Sequence, residues 1–173
     1  MATETEKARA IKLLILDVDG VLTDGKIVYA DRGEELKCFD VKDGHGIKLL
    51  LRAGIEVALV TGRKSAAVEH RAQDLGINLV FQKALNKIEA YEELRATQKL
   101  RDEELCVMGD DLPDLPILRK CGFSVAVPDS VDEVKREVDY VTNKEAGKGA
   151  VREVCEIILK AQGLWGRVTA RYF

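Results

Sequence analysis

Residues 11–24, IKLLILDVDGVLTD, constrain the rest of the chain: an apolar run ends in two aspartates one residue apart, Asp17 and Asp19, followed by Gly20. Such a run reads as a buried strand. Strand side chains alternate with a period of two, so the two acids point the same way, and Gly20 permits a sharp turn. Two carboxylates leaving an apolar strand repel one another and lose hydration unless a positive charge lies between them. A divalent cation would meet that need, although the pair by itself is equally consistent with a hydrated strand end closed by turn acids.

At 173 residues, 46% hydrophobic and 33% charged, the chain fits one soluble domain with a sizeable core. Twenty-seven Lys and Arg against thirty Asp and Glu leave a formal charge of -3, so nothing attracts nucleic acid or an anionic membrane globally, and an anionic substrate must be attracted locally. Cys38, Cys106, Cys121 and Cys155 form neither a CxxC pair nor a Cys/His cluster, which argues for reduced core thiols rather than zinc or disulfides. The opening MATETEKARA lacks the apolar core of a secretory signal and no segment reaches the length of a membrane span, so the expected compartment is the cytoplasm. Residues 1–10 are expected to form a flexible tail and residues 11–162 the folded domain. Residues 163–173 lack a periodic pattern but carry Trp165, Tyr172 and Phe173, as a tail that docks on another surface would.

After the opening strand, extended segments at 26–30 and 34–40 flank Asp31-Arg32-Gly33 and predict a hairpin projecting beside the carboxylates. Asp43-Gly44-His45-Gly46 precedes a helical face of Ile47, Leu50 and Leu51 that Gly54 stops, with Asp43 or a neighbour as the cap. The apolar run 55–60 reads as a parallel strand covered on both faces and ends in Thr61-Gly62-Arg63. A helix follows to about Leu75, closed by Gly76. Strands are expected at 79–81, 104–108, 123–127 and 140–142, alternating with helices at 85–100, 115–120 and 131–138. A closing helix has Val151, Val154, Cys155 and Ile158 as its inner face. This alternation predicts an α/β fold, a Rossmann-like parallel sheet flanked by helices.

Ligands of open parallel sheets bind beyond the carboxyl ends of the strands, where Asp17, Asp19, Thr61 and Asp110 would all emerge and Lys87 would add a positive charge. In this order DVDGVLTD, Val60-Thr61-Gly62, Lys87 and GDDLPD resemble the four motifs of the haloacid-dehalogenase-type phosphatases, over nearly the whole chain. The hairpin region, VKDGHGI, VTGRKS and ALNKIEAY further resemble the small capless members that dephosphorylate 3-deoxy-D-manno-octulosonate 8-phosphate. The resemblance implies that Asp17 is the nucleophile, forming an aspartyl phosphate that water hydrolyses, and that Asp19 is the acid and base. It implies Mg²⁺ on Asp17, the backbone carbonyl of Asp19 and Asp110, an oxygen-only set suited to a hard cation. Thr61, the Gly62 amide and Lys87 would bind phosphate, with Asp111 and Asp114 around the metal. Cation and lysine together would let one anion attack another.

A sugar acid carries a carboxylate as well as its phosphate, which suits arginine, and Arg63 and Arg71 are the candidates. The resemblance favours arginine at Arg63 for an octulosonate enzyme, where a relative acting on a nine-carbon sugar acid carries glutamate. Arg71, two turns along the next helix, would serve a neighbouring subunit's site or lie on a solvated face. His45 is expected to pack at a helix start and His70 to lie on the surface. No long insertion separates Asp19, Thr61 and Lys87, so there is no room for a cap domain. The resemblance implies instead a homotetramer in which the hairpin makes subunit contacts and a neighbour, or its tail, covers the pocket. The implied role is in lipopolysaccharide precursor synthesis. Rival readings are a phosphatase for another sugar-acid phosphate such as a nonulosonate 9-phosphate, a receiver-like phosphoacceptor, and an inactive oligomerisation module. The early position of the DxD pair speaks against a receiver, and retention of every motif residue speaks against an idle module.

Overall fold

β1 (Leu13–Leu16) lies in the interior of the sheet of the computed structural model, which describes residues 3–173, and all of its residues are buried. Its alternate side chains feed two layers, Leu14 and Leu16 joining one core cluster and Leu13 and Ile15 the other. α1 (Glu4–Ala8) precedes it. The chain then makes the hairpin β2 (Val28–Tyr29) and β3 (Glu35–Leu36), followed by α2 (Val41–Ala53), β4 (Glu56–Val60), α3 (Ala66–Leu75) and β5 (Leu79–Phe81). Next come α4 (Lys87–Thr97), β6 (Leu105–Gly109), α5 (Leu115–Leu118), β7 (Phe123–Ala126), α6 (Asp132–Lys135) and β8 (Tyr140–Val141), and finally α7 (Ala150–Ala161) and α8 (Trp165–Thr169).

The six parallel strands run in the order β5-β4-β1-β6-β7-β8. From β1 the chain winds outward through β4 and β5, then returns to the other side through β6, so the winding reverses at β1 and a crevice opens at the carboxyl ends of β4, β1 and β6. Leu16 pairs with Leu59 on one side and Met108 on the other, which brings Asp17, Thr61 and Asp110 to within a residue of one level. One face of the sheet is covered by α2, α3 and α7 through Ile47, Leu50, Val68, Val154 and Ile158. The other is covered by α4, α5 and α6 through Tyr91, Leu94, Ile117 and Val134. The doubly wound fold and the separate hairpin agree with the pattern in the sequence. The segments 115–120 and 131–138 form only single helical turns. Among the described residues no helix is long and apolar enough to cross a membrane.

Both expected tails are folded. Residues 4–8 are not a flexible tail: Thr3 and Glu6 close a capping box, Ala8 is fully buried and Lys7 pairs with Asp139 at 2.5 Å. Met1 and Ala2 lie outside the described residues. At the other end α8 and a 3₁₀ turn, Ala170–Tyr172, lie on the chain's own α2 and α7: Arg52 donates to the Val168 carbonyl at 3.0 Å, and the Tyr172 hydroxyl is 2.9 Å from His45 Nε2. A five-residue helix shows no apolar period because its order comes from these tertiary contacts. The cysteines also divide, with Cys106 and Cys155 buried, Cys121 half-buried and Cys38 exposed, so Cys38 is not a core thiol.

Asp40, rather than Asp43, caps α2, accepting from the amides of Lys42 (2.6 Å) and Asp43 (3.1 Å). Asp43 turns inward, and its two oxygens accept from the amides of Gly149 (3.3 Å) and Arg152 (2.7 Å), stapling α2 to the start of α7. Burial lifts its carboxyl to about 6, against the opposing pull of those amides. Replacing Asp43 with Ala strands one buried and one part-buried donor, and Asp43→Ala is expected to lower stability by about 1–3 kcal/mol. Urea unfolding measures this, and an unchanged midpoint would contradict the staple.

Candidate active site

The site is assembled from three strand ends and one helix start. Asp17 and Asp19 follow β1, Thr61 and Arg63 follow β4, Asp110 follows β6, and Lys87 opens α4; all line one cavity of about 290 Å³. The Asp17 amide donates to the Met108 carbonyl at 3.1 Å, extending the β1–β6 pairing to the first acid. The chain then turns tightly, the amides of Leu22 and Thr23 both donating to the Val18 carbonyl. Gly20 has φ +94, and a Cβ there would lie 2.2 Å from Asp110 Oδ2. Glycine is therefore what lets Asp110 reach the turn that carries the acid pair.

Lys87 is buried, with Nζ 2.7 Å from Asp17 Oδ1 and 2.5 Å from Asp114 Oδ1. Asp114 Oδ2 accepts from the amides of Asp110 (3.0 Å) and Asp111 (3.3 Å), so Asp114 braces both the lysine and the loop that carries Asp110. It folds back against Gly109, where a Cβ would come within 2.5 Å of it. Asp111 is exposed and caps the turn Leu112–Asp114, accepting from the Leu112 amide at 2.8 Å. Thr61 is buried, its amide donating to the Phe81 carbonyl at 2.9 Å and its hydroxyl oxygen accepting from the Arg63 amide at 3.4 Å.

Asp17, Asp110 and Asp114 each offer an oxygen within 4.8 Å of the others. Three carboxylates against the single ammonium of Lys87 leave a formal charge of -2 in a largely buried pocket. Burial is the main cause that raises Asp17 to about 6, with Asp114 adding to it and Lys87 opposing. Burial and then the neighbouring charge of Asp17 raise Asp110 further, to about 8. Burial works against the Lys87 ammonium, but Asp17 and Asp114 outweigh it and hold its pKa above the ordinary value. Three carboxylates drawn around one ammonium in a buried volume are short of positive charge. The donor set and residual charge fit a hard divalent cation such as Mg²⁺.

A second charged group closes the rim. Arg63 is half-exposed, pairs with Glu35, and donates to the Tyr29 hydroxyl at 3.3 Å, while its Nε lies 3.8 Å from Asp19 Oδ2. Lys37 pairs with Asp19 and lies 2.8 Å from Glu35 Oε1. Glu35 and Lys37 escaped the sequence analysis. The signal that marks them is their period-two spacing on a strand of the hairpin expected beside the carboxylates. Arg71 does not line this cavity: it donates to the Asp40 carbonyl at 3.0 Å and stacks 5.6 Å over Phe39, beside Gly44. His45 lies between Tyr172 and Arg152, at 2.9 Å and 3.1 Å, and His70 is exposed.

A doubly wound parallel sheet with an acid pair at the end of β1 and a lysine ion-paired to the first of those acids defines a haloacid dehalogenase-like hydrolase, and the model of that family matches residues 77–154. Within the class, the chain belongs to the 3-deoxy-D-manno-octulosonate 8-phosphate phosphatase family. It is 49% identical over 157 residues to the phosphatase KdsC of Escherichia coli (strain K12), covering 91% of this chain and 84% of that one. The crystal structure of the corresponding phosphatase from Yersinia pestis is 46% identical with a TM-score of 0.91, over 92% of this chain and 86% of that one. The phosphatase from Moraxella catarrhalis, solved in complex with a magnesium ion, a phosphate ion and a KDO molecule, is 42% identical with a TM-score of 0.96, over 98% of both chains.

The raised carboxyl groups predict how a cation binds. In the metal-free protein the folded state keeps protons on Asp110 and Asp17 that the unfolded chain has released above its ordinary carboxyl value of 3.8, so their contribution to stability falls as pH rises toward about 8. A cation must displace those protons. The rise in Tm on adding Mg²⁺ is expected to be small near pH 6 and to grow toward pH 8, the values to which the two acids are lifted. Differential scanning fluorimetry at several pH values measures it, and a shift independent of pH would contradict the assignment.

Proposed function

We propose that this chain is a Mg²⁺-dependent phosphomonoesterase that converts 3-deoxy-D-manno-octulosonate 8-phosphate to the free sugar acid and inorganic phosphate, in the synthesis of a lipopolysaccharide precursor. The observation that carries this is the buried Lys87 held between Asp17 and Asp114 at the reversal point of the sheet. It is supported by the likeness to a phosphatase that binds magnesium, phosphate and KDO.

Asp17 attacks phosphorus, so that an oxygen–phosphorus bond forms as the bond to the sugar oxygen breaks, and water then releases phosphate from the aspartyl phosphate. Asp19 protonates the departing sugar oxygen and later takes a proton from the attacking water. Lys87 orients Asp17 through their 2.7 Å ion pair and offsets the phosphate's charge, while Asp114 keeps the ammonium in place. The Thr61 hydroxyl and the Gly62 amide hold phosphate oxygens. Asp17, the Asp19 carbonyl and Asp110 would hold Mg²⁺, which when bound would supply positive charge to the clustered carboxylates and a phosphate dianion. Asp111 supports the loop as a cap rather than as a ligand.

Arg63, half-exposed on the rim, receives the substrate's carboxylate. Arg71 lies outside its own chain's cleft and serves a neighbour's site in a homotetramer. The exposed Val28, Tyr29 and Leu36 of the hairpin furnish subunit contacts, and the enzyme works in the cytoplasm. Residues 11–162 carry the catalytic domain, without a cap.

Phosphate release from 3-deoxy-D-manno-octulosonate 8-phosphate, with Mg²⁺ and with a chelator, tests the assignment. Asp17→Asn is expected to abolish turnover and Asp19→Asn to slow it by about 100-fold or more. Normal rates in either variant refute the mechanism. Arg63→Ala is expected to reduce kcat/KM for the sugar-acid phosphate far more than for 4-nitrophenyl phosphate, and equal losses would assign Arg63 to phosphate binding or scaffold. Light scattering on the eluted protein reports the assembly, and a monomer contradicts the tetramer.

A further inference from the structure

Asp19 has no partner in the main sheet; both of its oxygens face groups drawn from the rim. Oδ1 is paired with Lys37, Lys37 lies 2.8 Å from Glu35 Oε1, Glu35 Oε2 is paired with Arg63, and Arg63 Nε returns to within 3.8 Å of Asp19 Oδ2. Two anions and two cations thus alternate in a closed ring.

The two cations are not equivalent. The Arg63 side chain is 44% exposed, whereas that of Lys37 is 1% exposed. Burial opposes the Lys37 ammonium, but Asp19 and Glu35 outweigh it, and Glu35 is held down to about 2 by Lys37 and Arg63. Ordinary exposed ion pairs hold side chains loosely and contribute little. Lys37 instead has its side chain covered at the rim, where it surrenders rotamer freedom and hydration between Asp19 and Glu35. The hairpin itself does not require this, since β2 and β3 pair through their backbones. What the enclosed ammonium does achieve is to fix one oxygen of Asp19 without depending on Arg63.

We propose that Lys37 is a positioning residue for Asp19: anchored by Glu35, it holds one oxygen of the carboxyl group so that the other, carrying the proton, faces the leaving oxygen, and proton transfer depends on the hairpin being seated against the cleft. This rests on Asp19 being the acid and base. Arg63 is then able to turn toward a substrate carboxylate while Lys37 keeps Asp19 in place.

An alkoxide leaves poorly without a proton, whereas 4-nitrophenolate leaves without one, so a group that acts through Asp19 betrays itself by the leaving group it affects. The experiment measures kcat/KM with saturating Mg²⁺ for glycerol 3-phosphate, which has no carboxylate for Arg63, and for 4-nitrophenyl phosphate. Lys37→Met, Lys37→Arg and Asp19→Asn are compared with the unaltered chain. Lys37→Met is expected to lower the value for glycerol 3-phosphate by about 10- to 100-fold and that for the aryl ester by less than about threefold. Lys37→Arg is expected to recover most of the loss, and Asp19→Asn to show the same skew. The ratio of the two substrates within one preparation is independent of how much protein is folded or assembled, so it remains readable in a destabilised variant. Equal losses on both substrates in Lys37→Met, with the skew present in Asp19→Asn, overturn the role of Lys37 alone. Absence of the skew in Asp19→Asn overturns the acid–base assignment on which it rests.

Discussion

The molecule depends on keeping like charges together at the end of a buried strand. Asp17, Asp110 and Asp114 converge where β1 and β6 leave the core, and Lys87 is inserted between two of them at 2.7 Å and 2.5 Å. Buried ion pairs add little net stability, because desolvation offsets most of the attraction, while removing one partner leaves an uncompensated charge. The cluster therefore contributes to function more than to folding. Burial, reinforced by the neighbouring carboxylates, lifts Asp17 and Asp110, and the crowded oxygens make the pocket a receptor for a hard cation.

Several features of the scaffold answer to that constraint. The β1 register against β4 and β6 sets the acids and Thr61 at one level, and the lack of a Cβ at Gly20 and Gly109 admits Asp110 and Asp114 to the same small volume. Starting α4 at Lys87 puts a long cationic side chain where its stem is covered by the fold and its ammonium reaches the acids. The hairpin then supplies a separate set of charges at the rim, so the inner carboxylates and Asp19 answer to different cations, Lys87 for the first and Lys37 with Arg63 for the second.

Most of the architecture was legible because long elements repeat. Strand runs at 55–60 and 79–81 and the helix ending at Gly76 fall close to where apolar period and glycine placed them. What escaped was short or set by contact. α1 and α8 are five residues each and owe their order to capping and to packing on other helices. Asp43 reads locally as a cap for its own helix, but it caps α7, more than a hundred residues away in the chain. Arg71 follows the motif arginine on the next helix, yet it folds against Phe39 and the Asp40 carbonyl, outside the cleft.

The sequence by itself determined the fold class, the ends of the central strands and the order of Asp17, Asp19, Thr61, Lys87 and Asp110, because periodicity and motif spacing are local properties of the chain. Only the tertiary structure decided the partners of each charge: Lys87 with both Asp17 and Asp114, Asp111 as a cap, and Asp19 with Lys37 from the hairpin. The energy of a charge is governed by its burial and by neighbours within a few ångströms. Those neighbours are distant in sequence and meet only when the sheet has closed around them.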